Sequence, residues 1–362
     1  MPKTYRAALI GCSRMGAFID NESGAPAGTQ PPKSHAAGFE ACDRTEMVAC
    51  SDLRVEVMEQ VGIRYGVPKD RQYTDYREMI AKEKPDIVGV ATQPEPRAEI
   101  VVHAAGNWVR AIYAEKAMAA SMQDADAMVE AVERNGVHFV LGTHRRWHSG
   151  YDKMIEVIEN GDLGRLRTLT CYDTGTLFNT ASHYFDLLLR LNGDQPVAWV
   201  QASLPDGDEM IDGDLIRGDP RAHGIIQFEN GVTAYAQLTN RRGEHEAVCE
   251  NGTVTALNSG NEFAIRREGP PGRRGRSALV PGEFPDYEPP SPTLRLIEDL
   301  VHSLDTGDSP RGGVRVARAS TELLFAFIES HRQGGRRVEL PLVGCKLRLQ
   351  RDRAPRQPKY QP

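Results

Sequence analysis

Residues 6–16 read RAALIGCSRMG, an apolar run that stops abruptly at a glycine loop. Residues 6–10 are short and apolar enough for a fully buried strand. In the loop that follows, Ser13 stands between Gly11 and Gly16. Glycine is needed where a strand turns tightly into a helix and where backbone must approach a pyrophosphate closely. Gly11 and Gly16 fit the first and third positions of that pattern. Ser13 takes the second, where a small side chain still lets the chain come close and offers a hydroxyl to a phosphate oxygen. On this reading Gly11, Ser13, Arg14, Met15 and Gly16 wrap a dinucleotide. The loop's position after a first strand carries more weight than its letters.

Working outward, residues 46–50 (EMVAC), 86–91 (DIVGVA), 108–114 (WVRAIYA) and 137–141 (VHFVL) are further strands. Helical stretches occupy 76–84 and 121–135. In the second of these, Met122, Ala125, Met128, Val129 and Val132 recur at helical spacing and form a core stripe. Short apolar strands alternating with helices predict a parallel sheet of the Rossmann type. Asp52 closes the second strand, where an acid can accept hydrogen bonds from the adenine ribose hydroxyls. It lies farther from Gly16 than the usual spacing of about 20 residues. The excess has a visible source in residues 18–33 (FIDNESGAPAGTQPPK), a polar, turn-rich insertion. Once past it, residues 35–39 (HAAGF) continue the helix. The insertion belongs beside the pyrophosphate, either covering the cofactor or decorating the surface. A carboxylate at position 52 repels a 2′-phosphate, so NAD is expected in preference to NADP, although Arg54 nearby pulls the other way.

Beyond residue 144 the pattern changes. A helix over 149–160 ends at Gly161, as helices often do. Strands then follow in succession at 166–173, 197–203, 222–229, 232–239, 244–250 and 253–257. Several alternate apolar with polar residues, as half-exposed antiparallel strands should. The expected architecture is an α/β Rossmann domain (1–144), then an α+β domain with a mainly antiparallel open-faced sheet (145–344). The second domain is expected to bind substrate and to mediate oligomerisation, and residues 345–362 form a basic tail. Late helices over 293–305 and 314–333 should return to the junction. Residues 269–292, rich in Gly, Pro and Arg, read as a long loop or flap. The tail carries Lys346, Arg348, Arg351, Arg353, Arg356 and Lys359. It reads as a solvated end or as an arm reaching a neighbouring subunit.

Bulk composition narrows the function classes. A net charge of -6 argues against a general affinity for nucleic acid or an anionic membrane. No apolar stretch approaches the roughly 20 residues needed to cross a bilayer. The six cysteines are scattered without metal-ligand spacing, so no metal is expected and a reduced, cytoplasmic setting is.

Five stretches together resemble the glucose-fructose oxidoreductase / inositol dehydrogenase / rhizopine-catabolism (Gfo/Idh/MocA) oxidoreductase family. They are residues 11–16, Ala91-Thr92-Gln93-Pro94, Glu115-Lys116-Ala117-Met118-Ala119, Arg145-Arg146-Trp147, and residues 179–186 (NTASHYFD). The resemblance spans roughly residues 7–340. It implies that Thr92, Glu115 and Lys116 lie at the cofactor and that Lys116 also meets the substrate. A lysine there stabilises a developing alkoxide. Ala117 stands where the family has proline. The resemblance also implies a pair four residues apart, Asn179 and His183, at the start of a helix and on one face of it. His183 would be the general base. Many relatives carry aspartate at the place of Asn179, which here cannot share the proton. Arg97 replaces a family histidine and either faces the substrate or cofactor or, as the preferred reading, is a solvated residue at a helix start. His144, Arg145, Arg146 and Tyr184 are substrate-side candidates, with Tyr172 and Asp173 as further walls. Arg145 and Arg146 could instead hold the domain junction, and Asp186 should orient or pack.

The implied function is NAD-dependent oxidation of a secondary alcohol on a sugar, glycoside, cyclitol or sugar acid by a dimer or tetramer. Two alternatives stay open. The cofactor could be held and recycled, through transient oxidation that permits elimination or epimerisation, or the chain could be a non-catalytic nucleotide-binding sensor.

Overall fold

A computed structural model of the chain describes residues 3–22, 30–239, 241–272, 275, 277–289, 291–351 and 357–361. The N-terminal part is built from β1 (Tyr5–Ile10), α1 (His35–Ala41), β2 (Thr45–Ser51), α2 (Val55–Tyr65), β3 (Gln72–Tyr73) and α3 (Tyr76–Glu83). It continues through β4 (Ile87–Val90), α4 (Pro94–Ala105), β5 (Ala111–Ala114), α5 (Met122–Arg134) and β6 (His138–Leu141). All six strands are parallel, in the order β3-β2-β1-β4-β5-β6. The order reverses between β1 and β4, and a parallel sheet offers its ligand crevice at the carboxyl ends on either side of such a point. β4 and β5 are buried along their whole length, as strands covered by helices on both faces must be. Local capping agrees with this layout: Ser34 accepts from the Ala37 N–H at the start of α1, and Ser121 from the Asp124 N–H at the start of α5.

The second part contains α6 (Ser149–Glu159), β7 (Leu166–Tyr172), α7 (Ser182–Leu191), β8 (Val197–Ser203), β9 (Ile211–Asp212), β10 (Leu215–Ile216), β11 (His223–Phe228) and β12 (Thr233–Gln237). It ends with β13 (Glu244–Cys249), β14 (Gly252–Leu257), β15 (Glu262–Pro271), β16 (Ser277–Gly282), α8 (Pro292–Thr306), α9 (Val314–Arg332), β17 (Val338–Glu339) and β18 (Arg348–Leu349). Nine strands form a sheet in the order β16-β15-β14-β13-β7-β12-β11-β8-β17. Only β7 and β12 pair in parallel within it; the other neighbours are antiparallel. Burial alternates along β12 and β13, which places one face toward the helices and the other outward.

Helix α8 returns to the first part. Its Leu296, Ile297, Leu300, Val301 and Leu304 pack with Ala7, Phe39, Ile87, Ala111 and Val140 against the parallel sheet. Each such side chain contributes about 1.5–3 kcal/mol by burial. The approach to α1 is close: a Cβ on Gly38 would stand 2.6 Å from the Ile297 side chain.

Three expectations need correction. The segment after Gly269 is not simply a loop, because β15 (Glu262–Pro271) and β16 (Ser277–Gly282) pair antiparallel at the sheet edge. The glycine loop does not run straight into a helix either. Residues 14–18 make a single wide turn, and among the described residues the next α-helix is α1, from His35. The tail neither trails into solvent nor leaves the chain over its described residues: β18 pairs with β10, and Tyr360 packs on Phe18. Residues 23–29 of the insertion and 352–356 of the tail lie outside the described residues. Among the described residues, no helix is long and apolar enough to cross a membrane.

Candidate active site

The glycine loop meets its steric requirement at two positions. Gly11 has φ +88°, and a Cβ there would lie 2.8 Å from the Ala91 carbonyl oxygen. A Cβ on Gly16 would fall 2.0 Å from the Gly11 carbonyl oxygen. No other residue fits either place. Asp52 stands at the end of β2 as expected, and its carboxylate already has partners. Oδ2 accepts from the Cys12 N–H at 2.8 Å, and Oδ1 from the Arg54 N–H at 3.0 Å with the Arg54 guanidinium at 3.4 Å. Each carboxylate oxygen can accept twice, so the group ties the loop to β2 and keeps capacity for a ribose hydroxyl. The positive charge of Arg54 is matched by Asp52. Arg14 turns back to pair with Glu22 of the insertion. The base of that insertion is closed by Asp20, which accepts from the Lys33 and Ser34 N–H groups at 2.7 and 3.0 Å. Ser13, Met15 and Thr92 surround the same end of the sheet, and the Thr92 hydroxyl is buried without a hydrogen-bond partner among the described residues.

Lys116 follows β5 at the carboxyl edge of the sheet. Its Nζ donates to the backbone oxygen and to Oδ1 of Asn179, both at 2.9 Å. The peptide between Lys116 and Ala117 is cis. Burial lowers the Lys116 pKa, while Glu115 beside it and Asp219 pull upward. Glu115 itself faces inward, where His35 Nε2 lies 3.3 Å from its Oε1. Burial alone would raise the Glu115 pKa, but His35, His144 and Lys116 hold it down at about 2. Burial lowers the pKa of His35, so the pair is a neutral imidazole donating to an ionised carboxylate. The His35 ring stacks on Tyr113 at 3.6 Å, and the Tyr113 hydroxyl bonds His144 Nε2 at 2.8 Å.

Asn179 sits in a wide turn over residues 177–181 that leads into α7. Asp219 fixes this turn, accepting from the Phe178 N–H at 2.8 Å and the Thr176 hydroxyl at 3.1 Å. One turn further on, His183 is flanked by Lys116, Arg145 and His144. Its pKa is pushed well below the ordinary histidine value by burial and by those neighbouring charges, and its Nδ1 is buried without a hydrogen-bond partner among the described residues. A neutral imidazole and an ammonium therefore share one end of the crevice, with Asn179 between them.

The two arginines after β6 part company. Arg146 is 1% exposed and grips Asp186 and Asp194, with contacts of 2.8–3.2 Å. With its guanidinium engaged by both acids, Arg146 fits the alternative reading, in which it holds neighbouring segments together and Asp186 orients it. Arg145 lies over the Tyr184 ring at 4.6 Å and reaches the Ser259 hydroxyl at 3.4 Å. Among the described residues it makes no ion pair. Its Nε, the Tyr151 hydroxyl and both ring nitrogens of His245 are buried without a close, well-aligned hydrogen-bond partner among the described residues. The His245 pKa falls to about 3 through burial and through Arg145. Tyr184 is a buried wall below Arg145, in edge contact with the His245 ring at 4.9 Å. Tyr172 bonds Glu246 at 3.0 Å, on the edge of this floor.

Arg97 is also not solvated. At 1% exposure it donates to the carbonyl oxygens of Ala117 and Thr92, bracing the Lys116 loop from below. Sequence reading missed His35, Asp219, Tyr151 and His245 altogether. Distant segments bring them to the crevice, and none carries a local signal. Among the described residues, no group of histidine, cysteine and acidic side chains is arranged to hold a metal.

Residues 23–143 match the family described as an oxidoreductase family with an NAD-binding Rossmann fold. The myo-inositol 2-dehydrogenase of Thermotoga maritima is 25% identical over 223 residues, which is 57% of this chain and 65% of that protein. The D-apiose dehydrogenase of Paraburkholderia graminis is 30% identical over 162 residues, 45% of this chain and 38% of that one. The chain thus matches less than two thirds of the length of each. Among solved structures, the aldose-aldose oxidoreductase of Caulobacter crescentus, complexed with glycerol, aligns with TM-score 0.74 at 18% identity. That alignment covers 93% of this chain and all of the other. The WlbA dehydrogenase of Bordetella pertussis, in complex with NADH and UDP-GlcNAcA, aligns with TM-score 0.73 at 20% identity, covering 95% and 99%. At such identities the structures share the fold.

Proposed function

We propose that the chain, whose residues 23–143 match this oxidoreductase family, is an NAD-dependent oxidoreductase of a secondary alcohol on a polyhydroxylated substrate. Sugars, glycosides, cyclitols and sugar acids are the candidate classes. The crevice suits the dinucleotide on three counts: Gly11 and Gly16 leave no room for a side chain, Asp52 keeps acceptor capacity for a ribose, and Arg54 is engaged by Asp52. A carboxylate at position 52 with its arginine already matched favours NAD over NADP.

NAD, when bound, supplies the two-electron acceptor. The rest falls to the protein. An ammonium has three N–H donors, and two of those on Lys116 go to Asn179. The third is free for the substrate oxygen, whose developing negative charge it stabilises. His183, held neutral by its surroundings, accepts the hydroxyl proton. The charges of Lys116 and Arg145 disfavour an imidazolium there, so the proton moves on to solvent. Asn179 positions Lys116 and takes no proton. Arg145, with no ion-pair partner among the described residues, orients the remainder of the substrate.

The observation that carries this reading is the Lys116–Asn179–His183 constellation at the carboxyl end of the parallel sheet. It is tested by following NADH formation with a panel of neutral sugars, cyclitols and sugar acids. Turnover on one class is the expected result. If the protein binds NADH but turns over nothing in the panel, the retained-cofactor or sensor reading gains. If it binds no NADH, the proposal fails.

A further inference from the structure

The floor beneath Arg145 is assembled from separate segments of the chain. Tyr151 comes from α6, Tyr184 from α7, His245 from β13 and Ser259 from the turn after β14. The Arg145 guanidinium lies over the Tyr184 ring at 4.6 Å. Ser259 donates its hydroxyl hydrogen to the Arg242 carbonyl at 3.2 Å, which leaves its oxygen to accept from Arg145 at 3.4 Å. The packing is tight. A Cβ on Gly243 would fall 2.0 Å from the Tyr184 hydroxyl, and one on Gly260 would fall 2.9 Å from the Tyr151 ring. Arg145 is therefore held in place, and none of these contacts is with an acid.

Electrostatics isolate it further. Burial raises the Tyr151 pKa and, together with Arg145, lowers that of His245 to about 3, so both are uncharged near neutrality. Arg146, next in sequence, meets two carboxylates. Arg145 meets none within ion-pair distance among the described residues. Asp173 acts with Arg145 on the Cys171 thiol but forms no ion pair with it. Glu115 and Asp219 are engaged elsewhere, by His35 and by the turn before α7. Buried charges ordinarily have partners, and this partly buried cation has no counter-charge from the chain. Its planar fork matches a carboxylate, which takes two parallel N–H bonds. One guanidinium among neutral neighbours balances a single negative charge. The other cation of the crevice, Lys116, is directed at the reacting oxygen. Both act on His183, so both face one small molecule.

We infer that the substrate is a sugar acid, an aldonate or uronate, whose carboxylate is held by Arg145 while its secondary alcohol lies at Lys116 and His183. The inference rests on the oxidoreductase reading above and narrows its candidate classes to one. Neutral sugars, glycosides and cyclitols leave Arg145 without a counter-charge and are the poorer substrates.

The test is NADH formation by the full-length protein on matched pairs: gluconate with glucitol, glucuronate with glucose, galactonate with galactitol, and galacturonate with galactose. The acid of a productive pair should exceed its neutral partner about tenfold to a hundredfold in kcat/KM, the range of a charged hydrogen bond. Arg145→Gln should bring that ratio close to one, whereas a merely structural arginine would lower both members of the pair alike. Arg145→Lys keeps the charge without the fork and should restore part of the ratio. Fluorescence titration with NADH checks that each variant keeps its fold, and the ratio in the unaltered protein tests the inference even if a variant does not. Neutral partners turned over as well as the acids, or a ratio unchanged in Arg145→Gln, overturns the inference and leaves the oxidoreductase reading intact. Turnover confined to cyclitols or glycosides does the same. Absence of turnover on all the candidate classes removes the oxidoreductase reading, and the sugar-acid inference with it.

Discussion

The nucleotide side and the substrate side of the crevice satisfy their polar groups in different ways. Around the parallel sheet, charged groups find partners within the chain: Asp52 with Cys12 and Arg54, Glu115 with His35, Arg97 with two carbonyls. Over the antiparallel sheet, His183 Nδ1, Arg145 Nε, the Tyr151 hydroxyl and both His245 nitrogens find no close, well-aligned partner among the described residues. Burying a polar atom without a partner costs about 1–3 kcal/mol. In the frame of the nucleotide side His35 Nδ1, Arg97 Nε and the Thr92 hydroxyl carry that cost too, but His35 and Arg97 are each held through another nitrogen. Frame and floor thus differ in how far the chain already engages their groups. Arg145 and Arg146 condense the contrast into one dipeptide.

Breaking the contrast should give the largest effect at His183. His183→Ala should lower kcat by about 10²–10⁴, the usual contribution of a positioned general base, while NADH binding, measured by fluorescence titration, persists. Arg146→Ala attacks the frame instead. Removing one partner of a buried pair leaves Asp186 stranded and should cost about 3–5 kcal/mol of stability, read from denaturant unfolding. Arg145→Ala should leave that unfolding curve nearly in place and raise KM for substrate about tenfold to a hundredfold, the value of a charged hydrogen bond of roughly 1.5–3 kcal/mol. Equal destabilisation by both arginine variants would erase the distinction. At the cofactor end, Asp52→Ala should raise KM for NAD about tenfold, near 1.4 kcal/mol, and narrow the preference over NADP.

The smallest effect is one of pH. His183 has its pKa lowered well below 6.5, so its base form persists as pH falls and the acid limb of kcat/KM should lie below that value. Lys116 is lowered from 10.5, so its charge is lost earlier as pH rises and the alkaline limb should lie below 10.5. A rate profile with an acid limb above pH 7 would contradict the environment assigned to His183.

Legibility from sequence follows the same division. Strands β1, β2, β4 and β6 are local, apolar and bounded by turns, so periodicity finds them to within a residue or two. Gly11 and Gly16 announce themselves because sterics admit nothing else. Arg97 does not. The run Pro94-Glu95-Pro96-Arg97 looks like a solvated helix start, and its burial depends on the Ala117 loop, twenty residues away. Arg146 misleads for a similar reason, since Asp186 and Asp194 reach it only after α7 packs. The β15–β16 hairpin is hidden by a composition of Gly, Pro and Arg that elsewhere marks loops. The tail's docking is invisible because Glu95 and Phe18 lie more than 250 residues upstream in the chain.

The most direct test compares Lys116→Ala with the unaltered protein in one experiment that reads NADH binding and NADH formation separately. Binding should stay within a few-fold, because the glycine loop and Asp52 hold the dinucleotide. Turnover should fall by about 10²–10³, the value of one preorganised donor at a developing oxyanion. Turnover retained in the variant would contradict the central claim, that Lys116 and His183 act together on the substrate oxygen.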